Sequence, residues 1–288
     1  MKERSLVAFT ILSQTAVGAF WTVGLLRLWA TRQAGPAAAR ALTGHAVLAI
    51  GPLMGLALLA SFSHLGAPLS GWRALANLRS SWLSRELLVA ALFAAASLLC
   101  SGLWWFDLGS SLSQSVAGWG TALLGLAFLV SMAAAYRLRT VPAWSNWTIP
   151  VSFFATALLL GALGTGTALE LDPTVPPDLA AAVCPLIALA AVVLLGTELI
   201  LILLWVATLA AGPQPAVRAV ERITHTHRRV FRLRLYLAVA GIGAAVAAMP
   251  PWGPLLRAIA AVLLLGLVLA GEVLGRLLFY EARVREGV

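Results

Sequence analysis

Eight apolar runs, at about 6–30, 43–65, 85–106, 113–136, 149–170, 179–208, 233–250 and 254–280, divide the chain. A helix needs about 20 such residues to cross a bilayer, and each run is close to that length. The polar breaks between them carry turn residues: Gly35-Pro36, Gly66 to Pro68, Gly109, Pro142, Asp172-Pro173, Gly212-Pro213 and Pro250-Pro251. Cys184-Pro185 falls inside the sixth run and predicts a kink there. The pattern predicts an all-α integral membrane protein, a bundle of about eight transmembrane helices over residues 1–288. It forms one domain, with both termini on the same side. The first run is longer than the apolar core of a signal peptide and is expected to stay as the first helix.

Composition agrees with lipid as the solvent. Hydrophobic residues make up 61% of the 288 positions and charged residues only 11%, against about 25% charged in soluble domains. The net charge of +9 is no nucleic-acid signature, because the arginines fall in short segments between apolar runs. There they act as topology signals. The segments on the side of the termini hold Lys2, Arg4, Arg73, Arg79, Arg85, Arg137, Arg139, Arg218, Arg222, Arg228, Arg229, Arg232, Arg234, Arg283 and Arg285. The opposite side holds only Arg27, Arg32, Arg40 and Arg257, beside Asp107, Glu170, Asp172 and Asp178. Fifteen basic residues against four predicts cytoplasmic termini in a bacterial inner membrane.

Ionisable groups at membrane depth are costly and point to function. His64, Glu86, Glu198 and Glu272 are the candidates. His64 ends the second run and Glu86 begins the third, so the loop between them brings both to the basic face. Glu272 and Arg276 lie four residues apart, share a helical face and are placed to pair; Tyr280 continues that face. A histidine and a carboxylate near one surface suit quinone chemistry, in which two protons move with two electrons. The structural alternative is that His64 caps a helix and Glu86 pairs with an arginine.

Metal and haem chemistry find less support. His45 is 19 residues from His64 on the same helix, roughly 28 Å away at 1.5 Å per residue, so an internal bis-histidine haem is excluded. Cys100 and Cys184 fall short of the four thiolates of an iron–sulfur cluster and read as small core residues. His225 and His227, in the basic THTHRR segment, read as solvated or partner-contacting, with metal binding as the lesser alternative. Trp72, Trp82, Trp144 and Trp147 at the basic face, and Trp104, Trp105 and Trp119 at the other, read as interfacial belts.

Three segments carry a family resemblance: SFSHLGAPLSGWRALANLRSSWLSREL at 61–87, YRLRTVPAWSNWTIPVSFF at 136–154 and GEVLGRLLFY at 271–280. With the number and order of spans, they resemble the dimethyl sulfoxide reductase anchor-subunit family of the DmsC type. That family's pattern is a His-Leu-Gly-x-Pro loop followed by a Leu-Ser-x-Glu helix start. The resemblance implies an anchor bound to a ferredoxin-like iron–sulfur subunit, which carries a molybdopterin catalytic subunit. It implies menaquinone or ubiquinone as the redox partner and no redox centre in this chain. His64 and Glu86 match the family's quinol site; Trp72, Arg73, Arg85, Tyr136, Glu272, Arg276 and Tyr280 are expected to line or support the pocket.

In the best-known reductases of this family the motif face is periplasmic, whereas here it shares a face with fifteen basic residues. That favours the family's cytoplasmic branch, which includes sulfite-oxidising, quinone-reducing complexes. A sulfoxide reductase that oxidises quinol is the alternative within the family. A solute permease is the alternative of another class, resting on the kinked sixth span and the buried Glu198 and Glu272, but no repeated halves of the transporter kind are visible.

Overall fold

The structure, a computed structural model, describes residues 2–62 and 77–284. Every regular element among them is helical. The helices are α1 (Lys2–Phe62), α2 (Trp82–Trp105), α3 (Ser111–Tyr136), α4 (Thr148–Leu171), α5 (Pro177–Ala210), α6 (Gln214–Glu221), α7 (Arg228–Ala247) and α8 (Pro254–Glu281). A π-helical turn, Arg222–Thr226, joins α6 to α7.

All but α6 are long and apolar enough to cross a membrane, seven helices among the described residues. The first supplies two passages. Its 61 residues would run about 90 Å if straight, some three times the ~30 Å hydrocarbon core. Gly35 breaks it, with φ 85° and ψ 175°, a left-handed conformation open to glycine and costly for residues with a Cβ. Pro36 follows and starts the second arm, where its missing N–H costs no helical hydrogen bond.

Contacts with α2 show that the arms double back. Trp104 stacks on Phe20, ring centroids 5.5 Å apart, while nearby Ser101 donates to the Val47 carbonyl at 3.1 Å. Residue numbers rise along one arm and fall along the other beside the same stretch of α2. The hairpin restores eight passages, as the hydropathy pattern predicts.

Serine caps set two of the helix starts. Ser81 accepts from the Ser84 N–H at 3.3 Å to open α2, and Ser110 from the Ser113 N–H at 3.2 Å to open α3. The first arm of α1 packs against α4 along a seam of small residues. A Cβ on Gly18 would stand 1.7 Å from the Ala157 carbonyl oxygen, and one on Gly161 would meet the Gly18 backbone at 2.1 Å. Only glycine permits backbones that close. On one side of this seam Phe20, Phe93, Phe128 and Met132 fill a core among α1 to α4; on the other, Leu159, Leu160, Leu195 and Leu264 fill a second among α4, α5, α7 and α8. Leu25, Leu59, Leu99, Leu123 and Leu263 form part of an exposed apolar coat, as lipid contact requires.

The segment 209–232 differs from the loop read in the sequence. It folds into α6, the π turn and the first turn of α7. Ala216, Ala219 and Ile223 are buried there, and Glu281 at the end of α8 meets Arg222 at 3.1 Å and His227 at 3.6 Å. Helix α7 therefore starts five residues before the expected 233, and Arg228, Arg229, Arg232 and Arg234 are helical.

Candidate functional site

The starts of α2, α4 and α7 and the ends of α3, α5 and α8 meet at one end of the bundle. Trp205 donates to the Ala143 carbonyl at 3.0 Å, Asn146 to Thr208 at 2.6 Å, and Trp144 to the Phe279 carbonyl at 2.7 Å. This is the end that carries the basic segments. His64, Trp72 and Arg73 lie outside the described residues. The other sequence candidates, Glu86, Arg85, Tyr136, Glu272, Arg276 and Tyr280, all fall at this end or just below it.

Glu86 sits in the second turn of α2, 3% exposed, and its Oε1 is fully enclosed with no hydrogen-bond partner among the described residues. A buried carboxyl oxygen without a partner costs free energy and calls for an explanation. The structural alternative, a pairing with an arginine, is not formed among the described residues. Arg85 turns outward instead, donating to the carbonyls of Leu78 and Arg79 at 2.9 and 2.8 Å and covering the Trp82 ring at 4.4 Å.

Two phenols, Tyr136 and Tyr280, lie within electrostatic reach of Glu86. Their hydroxyls are 2.6 Å apart. Thr10, whose hydroxyl donates to the Leu6 and Val7 carbonyls at 2.9 and 3.1 Å, lies close to Tyr280. Trp144, Phe153 and Phe279 wall Tyr136 in edge-to-face contacts, centroids 5.4 to 5.8 Å away.

One turn deeper on the same face of α8, Arg276 is buried. It does not form the ion pair with Glu272 that the four-residue spacing suggests. Its Nη2 donates to Gln14 Oε1 at 2.8 Å and its guanidinium lies 4.1 Å over the Phe153 ring. Gln14, 0% exposed on α1, thus fixes Arg276 against the aromatic wall.

Glu272 lies another turn down and meets Glu198 of α5. Thr156 of α4 stands between them, its Oγ1 2.7 Å from Glu272 Oε2 and 3.1 Å from Glu198 Oε1. Arg234 of α7 faces Glu198 Oε2 at 3.7 Å. Its guanidinium occupies the space above Gly275, where a Cβ would come within 2.5 Å of it. Glu198 is 12 residues from the end of α5 and Glu272 nine from the end of α8, depths of ~18 and ~14 Å at 1.5 Å per residue. Both therefore sit inside their helices, roughly 7 Å from the helix centres on the basic-end side. A small cleft of about 70 Å³ opens beside them, lined by Ser152, Phe153, Trp205, Phe231, Arg234 and Arg276, with Glu198 and Glu272 on its wall.

The other end of the bundle is held by polar ties. Arg40 pairs with Asp107 at 2.5 Å, Arg27 reaches Gln114 at 3.2 Å, and Arg257 pairs with Glu170 at 3.1 Å. His45 meets Asp172 at 2.6 Å. Gln114's amide, with Arg40 and Arg27 nearby, holds the Asp107 carboxyl below the usual carboxylate range. Burial pulls Asp172 upward, but the Thr174 hydroxyl and N–H and His45 outweigh it and leave the group lowered. Among the described residues no three of His, Cys, Asp or Glu gather as a metal site would require. His225 lines a shallow surface pocket with Arg218, Glu221 and Arg222.

Sequence reasoning singled out the α8 residues by their spacing. It missed Gln14, Thr156 and Arg234, which join the cluster from α1, α4 and α7. The unusual polarity of Gln14 and Arg234 inside apolar runs was the available signal.

These features define a polytopic membrane protein with a buried polar site at one end of its bundle. The chain belongs to the DmsC family of dimethyl sulfoxide reductase anchor subunits, whose family model matches residues 1–282. It is 30% identical to the anaerobic dimethyl sulfoxide reductase chain YnfH of Escherichia coli, over 99% of this chain and 96% of that protein. It is 31% identical to an anaerobic dimethyl sulfoxide reductase chain of Haemophilus influenzae, over 55% of this chain and 56% of that one. It is also 36% identical to a sulfite dehydrogenase subunit of Allochromatium vinosum, over 40% of this chain and 39% of that protein. The chain is a membrane anchor subunit of a multi-subunit oxidoreductase.

Proposed function

We propose that this anchor exchanges electrons between membrane quinone and an iron–sulfur partner, and that Glu86, Tyr136 and Tyr280, with His64 from the adjoining segment, form the quinone headgroup site. The observation that carries this reading is the enclosed Oε1 of Glu86, without a partner among the described residues, with two phenols and their aromatic wall within electrostatic reach. Such a group fits a planar headgroup whose carbonyls need hydrogen-bond donors and whose reduction needs protons. When bound, the quinone supplies two-electron, two-proton redox chemistry. The chain's own residues orient it and hold the protons: Glu86 and His64 as acid–base groups, the phenols as hydrogen-bonding groups, and Arg276, fixed by Gln14, as a positive charge close by. Trp72 and Arg73 complete the motif loop, and Arg85 anchors its end to α2.

The partners on this reading are a ferredoxin-like iron–sulfur subunit and a molybdopterin catalytic subunit on the cytoplasmic face of a bacterial inner membrane. The substrate reading is sulfite, with quinone as electron acceptor. It rests on the basic bias of the motif face and on the similarity to a sulfite dehydrogenase subunit. The similarity to dimethyl sulfoxide reductase chains supports the reverse direction, quinol oxidation with a sulfoxide as acceptor.

Purification of the native complex and assay with both substrates distinguishes the two. Sulfite-dependent quinone reduction is the expected result, and sulfoxide-dependent quinol oxidation overturns the substrate but keeps the anchor. Glu86→Gln is expected to lower quinone turnover at least a hundredfold in an assembled complex, within the range of a lost acid–base group, about 10²–10⁴. Full quinone activity in that variant overturns the site.

A further inference from the structure

The quinone site leaves a second buried group unused: Glu198, Glu272 and Thr156, with Arg234 and Arg276 against them. An ionised carboxylate only accepts hydrogen bonds, and a threonine hydroxyl has one hydrogen to give. Thr156 Oγ1 is within hydrogen-bonding distance of a carboxyl oxygen of both glutamates, 2.7 and 3.1 Å. Two fully ionised carboxylates leave these contacts one hydrogen short. A single proton on the pair satisfies all of them.

We propose that Glu198 and Glu272 form a carboxyl dyad that holds one shared proton inside the bundle, exchanges it with the basic end through the adjoining cleft, and answers charge changes at the Glu86 site. Each part rests on a separate observation. The cleft runs beside Glu198, Glu272, Arg234 and Arg276, past Thr148 where α4 begins, so the dyad is open toward the basic end.

Toward the opposite end Ile187, Ala188, Ala191, Leu195, Leu264 and Val268 are buried and apolar. The nearest ionisable group there on α5, Cys184, is 14 residues from Glu198, ~21 Å along the helix. Exchange is therefore one-sided, and the dyad stores a proton without carrying it across.

The link to the quinone site is Arg276. Its charge acts at once on Glu272, Glu198, Tyr136 and Tyr280, and Glu86 acts on the same two phenols. The groups facing the dyad are Thr156 from α4, Arg234 from α7 and Arg276 from α8, with Gln14 of α1 behind Arg276. Negative charge arriving at the headgroup site raises the dyad's hold on its proton, and loss of that charge releases it. Only protons move in this step. Electrons pass between the quinone and the partner's iron–sulfur carriers.

The coupling rests on the quinone reading, but the dyad itself is observable without it. Infrared titration of the assembled complex in lipid should show the carbonyl stretch of a protonated buried carboxyl at neutral pH. Because the proton is shared, Glu198→Gln and Glu272→Gln should each remove the same component of that band, one that Glu86→Gln leaves in place. Thr156→Val, which keeps both carboxyls and the side-chain volume, should shift its titration. Glu86→Gln, which removes a group able to carry negative charge, should lower the midpoint of that component. No such component at neutral pH, or one that survives either dyad glutamine variant, overturns the dyad. A midpoint that ignores Glu86→Gln overturns the coupling. A wild-type complex with the band but without quinone turnover overturns the quinone reading and leaves the dyad standing.

Discussion

Asp172 closes α4 at the end of the bundle away from Glu86, and its surroundings make a pH-dependent tie. The Thr174 hydroxyl and N–H bond one carboxyl oxygen at 2.7 and 2.9 Å, and His45 meets the other at 2.6 Å. These contacts favour the charged form, so the carboxyl titrates lower in the folded protein than in the unfolded state. The sign of the linkage follows. The tie contributes stability above the unfolded carboxylate value, near pH 4, and loses it as pH falls through the lower folded value. Asp172→Asn should therefore lower the melting temperature in detergent at pH 7. The gap to wild type should close as the pH is brought below 4, and a gap that persists there shows that the effect is not electrostatic. Only part of such pairing is legible in a sequence. Glu272, Arg276 and Tyr280 were found because helical periodicity puts them on one face. Their actual partners, Gln14, Thr156 and Tyr136, lie on other helices, where spacing along the sequence says nothing about proximity.

At the scale of elements, hydropathy located the spans and turn residues located their breaks, because lipid imposes one length on every passage. The Gly35-Pro36 break appears in the structure at that dipeptide, reduced to a single non-helical residue between two arms. The segment 209–232 was not legible. Helix α6 is eight residues long, and the π turn places Ile223 inward through one irregular turn that no regular period describes. The glycine seam between α1 and α4 was equally silent, since Gly18 and Gly161 acquire meaning only when the two backbones meet. That seam joins the two cores, so a side chain there has a large effect. Ordinary overpacking costs about 1–3 kcal/mol, and a Cβ 1.7 Å from a carbonyl oxygen demands separation of the helices. Gly18→Val should abolish recovery of assembled complex from membranes, whereas Gly55→Ala, with open space around its Cβ, should leave it unchanged. Normal recovery of the Gly18 variant shows that the helices do not pack at this distance.

At the scale of the whole molecule, the remaining question is which way the bundle faces, and it decides the chemistry of the partners. The fold gathers the starts of α2, α4 and α7 and the ends of α3, α5 and α8 at one end, and fifteen of the twenty basic residues belong to segments there. Arg234 weakens that count slightly, because its side chain turns inward to Glu198 and no longer acts as a surface charge. Arg257 is likewise neutralised by Glu170 on the other side. Setting both aside leaves fourteen against three, and retention of short basic segments on the cytoplasmic side still favours cytoplasmic termini. A fluorescent protein fused after Val288 should then be bright, and alkaline phosphatase at the same place inactive. A phosphatase inserted at Gly109, in the short connection between α2 and α3, should be active. The reverse pattern puts the Glu86 site and its partner subunits on the outer face, which removes the orientation argument for sulfite and favours an exported sulfoxide reductase on the same anchor.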